Sequence, residues 1–93
     1  MIVGSLKLSL IIRGAHSLKD KRQVIRPLKE RLANKFNVAV AETDFNDVWQ
    51  RAELGVATVG KDTSFVESVL AEVLRYVSYN PDAELVNHEK ELI

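Results

Sequence analysis

The sequence predicts an α+β domain of element order βαββαβ, with four antiparallel strands and both helices on one face. Three observations carry that expectation. The first dozen residues alternate with period two, two later stretches repeat at helical spacing, and turn formers separate the segments. A length of 93 residues leaves room for one domain, residues 1–93, and no second.

Ile2, Leu6, Leu8, Leu10 and Ile12 fall at or near every second position, with Ser5, Lys7 and Ser9 between them. That is a half-buried strand of about ten residues. Arg13-Gly14-Ala15-His16 is the turn that follows. Ser17 suits an N-cap, and Asp20 completes an S-x-x-D capping box. Leu18, Ile25, Leu28, Leu32 and Phe36 then share one helical face, so a helix is expected from Leu18 to about Lys35. Pro27 falls inside it and predicts a kink or a step near Gln23.

Val38–Ala41 reads as a short strand, and Asp44-Phe45-Asn46-Asp47 as a turn. Trp49 to about Val59 is the next strand, joined to the previous one as an antiparallel hairpin. Asp62-Thr63-Ser64 opens a second helix, with Ser64 and Glu67 as its capping box and Val66, Val69, Leu70, Val73 and Val77 as its buried stripe. Asn80-Pro81-Asp82 ends it, and Ala83–Ile93 is a polar strand suited to a sheet edge. The order is that of the ferredoxin-like split βαβ fold.

Composition narrows the function classes. Thirteen Lys+Arg balance thirteen Asp+Glu, and hydrophobic residues make up 46%. That is an ordinary soluble globular domain, not a disordered tail or a protein that is basic throughout. Without cysteine there is no disulfide, thiolate zinc site or cysteine nucleophile. Lys7 interrupts the N-terminal apolar residues, so no signal peptide is read, and the expected location is the cytoplasm with no membrane partner.

Zero net charge hides a split. Residues 1–16 carry +2, residues 17–35 carry +5, residues 36–61 carry −2 and residues 62–93 carry −5. The first helix is therefore basic, and Lys19, Lys21 and Arg22 put positive charge near its N-terminus, where the helix dipole disfavours it. A bound anion would offset that cost. Backbone N–H groups with Arg13, His16, Lys19 and Arg22 could hold a phosphate. The plainer alternative is a solvated helix face.

Other motifs weigh less. Gly55 to Lys61 has the spacing of a phosphate-binding G-x-x-x-x-G-K loop, but Asp62 follows and the interior is strand-forming. Glu42, Asp44 and Asp47 lie near the hairpin turn but do not meet the calcium-loop pattern, and Asp44, Asn46 and Asp47 read as turn chemistry. His16, Ser17 and Asp20 are better explained by capping than as a triad, and His16 and His88 lack ligand spacing. No metal or cofactor is expected. Trp49, the only tryptophan, suits a plug at one end of a small core. Its other roles are an interface anchor, with Arg51 beside it, or a stacking surface for a base. The first strand presents Ser5, Lys7 and Ser9 on its polar face, which is no aromatic platform of the kind RNA-recognition modules use.

Three blocks carry a family resemblance: Gly14-Ala15-His16-Ser17-Leu18-Lys19-Asp20-Lys21-Arg22, Phe36-Asn37-Val38-Ala39-Val40-Ala41-Glu42 and Trp49-Gln50-Arg51-Ala52. With these the chain resembles the YlxP-like family, small bacterial proteins also catalogued as domain of unknown function 503, over essentially its whole length. Pro27 departs from that family's pattern, which usually has a helix former there. The resemblance implies a ferredoxin-like fold. The family's genes often lie among those of transcription and translation factors, which implies an RNA or ribosome role and assigns no catalytic residue.

The expectation is thus a non-enzymatic binding protein. Arg13, His16, Lys19, Lys21, Arg22, Arg26 and Lys29 form the pool of contacts to structured RNA, rRNA or a ribosomal subunit. The alternative is a protein–protein module or homodimer that matches the basic helix to an acidic surface. An acylphosphatase-like enzyme is disfavoured. Arg13 stands near the place of its loop arginine, but Asn37 and Asn46 flank the second strand and do not supply its central-strand asparagine.

Overall fold

The computed structural model describes residues 1–93. Its elements are β1 (Ile2–Ile11), α1 (Leu18–Lys35), β2 (Ala39–Asp44), β3 (Arg51–Gly60), α2 (Thr63–Ser78) and β4 (Glu84–Leu92). They form one antiparallel sheet of order β2-β3-β1-β4, the ferredoxin-like arrangement. Period two in β1 does the sorting: Leu6, Leu8, Leu10 and Ile12 are buried on one side, while Lys7 is exposed on the other. Register places Leu6 opposite Val56, Leu8 opposite Leu54 and Leu10 opposite Ala52, so β3 continues the same apolar floor.

Both helices close over that floor. Ile25, Leu28 and Leu32 of α1 and Val66, Leu70, Val73 and Val77 of α2 join the strand residues in one core of sixteen buried side chains. The start of α2 lies very close to the sheet. A Cβ on Gly4 would collide with Val66 Cγ1, so β1 can hold only glycine beneath that turn. At the far end Phe36 and Tyr76 meet edge to face, with centroids 5.8 Å apart. Thr58 Oγ1 donates to Asn37 O at 2.8 Å and fixes the α1–β2 connection.

Several details depart from the sequence expectation. α1 has the expected span, Leu18–Lys35, but it passes through the half-buried Pro27 without the expected step near Gln23. Packing of Ile25, Leu28 and Leu32 on both sides of the proline outweighs the one missing hydrogen bond. The second helix is capped by Asp62, whose carboxylate accepts from Phe65 N, and Ser64 lies inside its first turn. β2 reaches Asp44 instead of ending at Ala41, and β3 begins at Arg51, which leaves Trp49 and Gln50 in the connecting loop. β4 is an edge strand as expected, and so is β2. The Gly55–Gly60 segment lies wholly within β3. No helix is long and apolar enough to cross a membrane.

Replacing Pro27 by Ala supplies an N–H for the Gln23 carbonyl. We expect the unfolding free energy to rise by about 1–3 kcal/mol, read from the urea midpoint. A midpoint that falls would mean that packing of the proline ring matters more than the bond it removes.

Candidate nucleic-acid interface

The site begins at the cap of α1. Ser17 is extended (φ −163°, ψ 166°), and its hydroxyl accepts from Asp20 N at 3.0 Å. Asp20 Oδ2 in turn accepts from His16 N at 3.0 Å. One of the first free N–H groups of the helix, that of Asp20, is therefore satisfied by the cap, and the Asp20 carboxylate ties down the residue before it. Arg13 donates through Nε and Nη2 to Glu84 Oε2 at the start of β4. The expected phosphate pocket of Arg13, His16, Lys19 and Arg22 is thus divided, with a carboxylate already at the helix start and another on Arg13.

Lys21 is the largest correction. It lies on the inner face of α1, is 2% exposed, and is no surface cation. Its Nζ donates to Phe45 O at 2.6 Å and Val48 O at 2.9 Å. Glu42 Oε2 stands 2.8 Å from it and supplies the countercharge, off the line of a hydrogen bond. The β2–β3 loop therefore wraps an ammonium. Phe45 takes a left-handed backbone (φ 60°), strained for a non-glycine residue, to bring its carbonyl there. Asp44 Oδ1 accepts from Phe45 N at 2.7 Å and supports the turn.

Gln50 ties the same loop to the β1–α1 turn. Its Nε2 donates to Ala15 O at 3.0 Å and Arg13 O at 3.3 Å, and its own carbonyl accepts from Ile12 N at 2.9 Å. Arg51 lays its guanidinium over the Phe45 ring, 4.1 Å from the centroid. Trp49 does not plug the core. It is 52% exposed, beside a half-exposed Val48, because the clamped loop holds this stretch at the surface.

Arg22, Arg26 and Lys29 follow one another by about one helical turn. With Leu18, Lys21, Ile25, Glu42 and Asn46 they line a small groove of about 140 Å³ between α1 and the β2–β3 loop. The chain's four ion pairs join Lys7 to Glu89, Arg13 to Glu84, Lys21 to Glu42 and Lys90 to Glu67. None involves Lys19, Arg22, Arg26 or Lys29. The one acid in the groove, Glu42, is already matched by Lys21. Of the seven residues expected from the sequence, four therefore line the groove, Lys21 from its buried floor and Arg22, Arg26 and Lys29 without a partner. Lys19 and His16 are exposed near the start of the helix, Arg13 lines a separate hollow with Asp20 and Glu84, and Lys21 is interior. Glu42, Asn46, Phe45 and Gln50 were missed. Only a long-range pairing of Lys21 with the loop would have exposed them, and no local pattern encodes it.

A family model described as "Protein of unknown function (DUF503)" matches residues 3–90. A relative from Bacillus subtilis (strain 168), described as "Uncharacterized protein YlxP", is 36% identical over 83 residues, covering 89% of this chain and 90% of the relative.

Lys21→Met strands the Glu42 carboxylate and two carbonyls. It should cost about 3–5 kcal/mol in urea unfolding, and adding Glu42→Leu should recover part of that. A double variant no more stable than the single would show that the two carbonyls, not the charge pair, set the cost.

Proposed function

The chain belongs to the DUF503 family, and from that premise we propose that it is a non-catalytic protein that binds structured RNA, free or within a ribosomal subunit, along the outer flank of α1. The observation that carries this reading is the set of unpaired cations in the groove: Arg22, Arg26 and Lys29 have no carboxylate partner. Like charges three and four residues apart on a helix repel by a few tenths of a kcal/mol per pair. A polyanion relieves that repulsion, and a row about 10 Å long suits consecutive phosphates better than one small anion.

The helix N-terminus has a lesser role. Ser17 and Asp20 already occupy it, so the side chains of the flank, not backbone N–H groups, carry the binding. Lys19 and His16 extend the row toward the β1–α1 turn. Arg13 can join only by giving up Glu84, an exposed pair that holds it weakly. The open face of the sheet offers Ser5, Lys7, Ser9, Glu53 and Ala57 and no aromatic residue, which favours the helix over the sheet as the RNA-facing surface.

The test is co-sedimentation with purified ribosomal subunits at low and moderate salt. Salt-sensitive pelleting with one subunit is expected. With three phosphates engaged, log affinity for RNA should fall against log salt with a slope of about −2 to −3. Arg22→Ala with Arg26→Ala should weaken binding and flatten the slope by about 1–2. Arg31→Ala, on the flank toward α2, should change neither. No pelleting or RNA binding at low salt would end this reading in favour of a protein partner.

A further inference from the structure

Trp49 is held in place through the hydrogen bonds of its two chain neighbours. On one side Val48 O accepts from the buried Lys21 ammonium at 2.9 Å. On the other, Gln50 is fixed through Ala15 O, Arg13 O and Ile12 N. The backbone on both sides of the indole is therefore immobilised against α1 and the β1–α1 turn, yet the side chain remains 52% exposed. The nearest basic–aromatic stack in the loop is Arg51 on Phe45, which leaves Trp49 without a cation over its ring. The aromatic pair of the domain, Phe36 with Tyr76, lies elsewhere.

The loop that carries this indole borders a basic groove, through Asn46 and through Val48 O on the Lys21 ammonium. Asn46, in the same loop, forms one wall of the groove with Arg22, Arg26 and Lys29. The other large exposed apolar side chains are Met1, Val59, Phe65, Tyr79, Val86 and Ile93, and all lie outside the β2–β3 loop. Within the loop Val48 is the only other large exposed apolar side chain, short of the ring that surrounds a protein hot spot. Asp47 in the loop also disfavours a phosphate there. A flat, neutral, aromatic group attached to a phosphate chain meets all of these conditions.

We propose that Trp49 stacks on an unpaired base of the bound RNA while the adjoining phosphates lie along Arg22, Arg26 and Lys29. The ligand class is then RNA with a single-stranded or bulged nucleotide, not a continuous duplex. A paired base keeps its faces inside the helix, whereas an unpaired one can be laid on an indole that is already fixed. Pre-fixing the loop removes the ordering cost that a mobile tryptophan would add on binding. This proposal rests on the RNA-binding reading of the α1 flank.

The sole tryptophan is its own reporter. Wild-type protein is titrated at low salt with a short oligoadenylate and with a blunt RNA duplex of the same length, following tryptophan emission and, independently, anisotropy of the labelled RNA. The single strand is expected to quench emission and the duplex is not. Trp49→Ala should weaken the single strand by roughly 5- to 150-fold, the range of one stacked base, and leave duplex affinity within about twofold. Trp49→Phe should keep most of the preference. Single-strand binding with unchanged emission and unchanged affinity in Trp49→Ala overturns the stacking proposal and leaves the phosphate row standing. Absence of binding to both RNAs at low salt overturns stacking and RNA reading together. Loss of self-association in Trp49→Ala under those conditions would assign the indole to a protein interface.

Discussion

One buried ammonium organises the end of this domain where α1 meets the β2–β3 loop. Taking a lysine charge out of water costs several kcal/mol unless the site supplies compensating oxygens. Lys21 therefore sets demands on everything near it. Glu42 must lie on β2 facing α1, Phe45 must turn left-handed to present its carbonyl, and Val48 must come back within reach of the same nitrogen. The loop has little freedom left once those conditions are met. Gln50 then joins the closed loop to the β1–α1 turn, so the two ends of the motif-bearing chain are locked side by side.

That arrangement decides which charges are available. Lys21 and Glu42 neutralise each other inside, and Asp20 is spent on the cap. What remains on the outer flank is positive, although the chain as a whole is neutral. A neutral protein can thus present a local patch of positive charge without the nonspecific attraction that a high net charge brings. The acids of the C-terminal half are kept away from this flank: Glu84 and Glu89 lie on β4, at the opposite edge of the sheet from β2.

The sequence makes most of the fold legible because the fold depends on local periodicities. Period two in β1, helical spacing in α1 and α2, and Ser17 with Asp20 are each readable within a few residues. Boundaries that depend on distant partners are not. β2 reads as ending at Ala41, with Asp44 in the turn, until the ammonium that pairs with Glu42 is known. Pro27 reads as a kink or step because its local cost is visible, while the packing of Ile25 and Leu28 that carries the helix through it is tertiary. At the site, basic composition pointed to α1 and could not separate the buried Lys21 from Arg22 one position later. That single position is the difference between the inner face of the helix and its solvent flank. Trp49 was misplaced for a similar reason. A lone tryptophan in a small domain fits a core plug, and only the clamp on its neighbours keeps it outside.

The first and third of the blocks that carry the family resemblance divide by task. Ser17 and Asp20 cap α1, Lys21 and Gln50 clamp the β2–β3 loop, Arg51 covers Phe45, and Ala52 fills the core. Each of these has a structural duty that explains its side chain. His16, Lys19, Arg22 and Trp49 do not: their side chains are exposed and form no ion pair or hydrogen bond within the chain. A fold of this size gains little from an exposed indole or from unpaired cations beside a helix start. The side chains without an internal partner lie on or beside the first turns of α1 and the loop clamped to it. Their chemistry, three cationic or basic groups and one aromatic face, is what an RNA strand with an exposed base requires and what the folding of this chain does not.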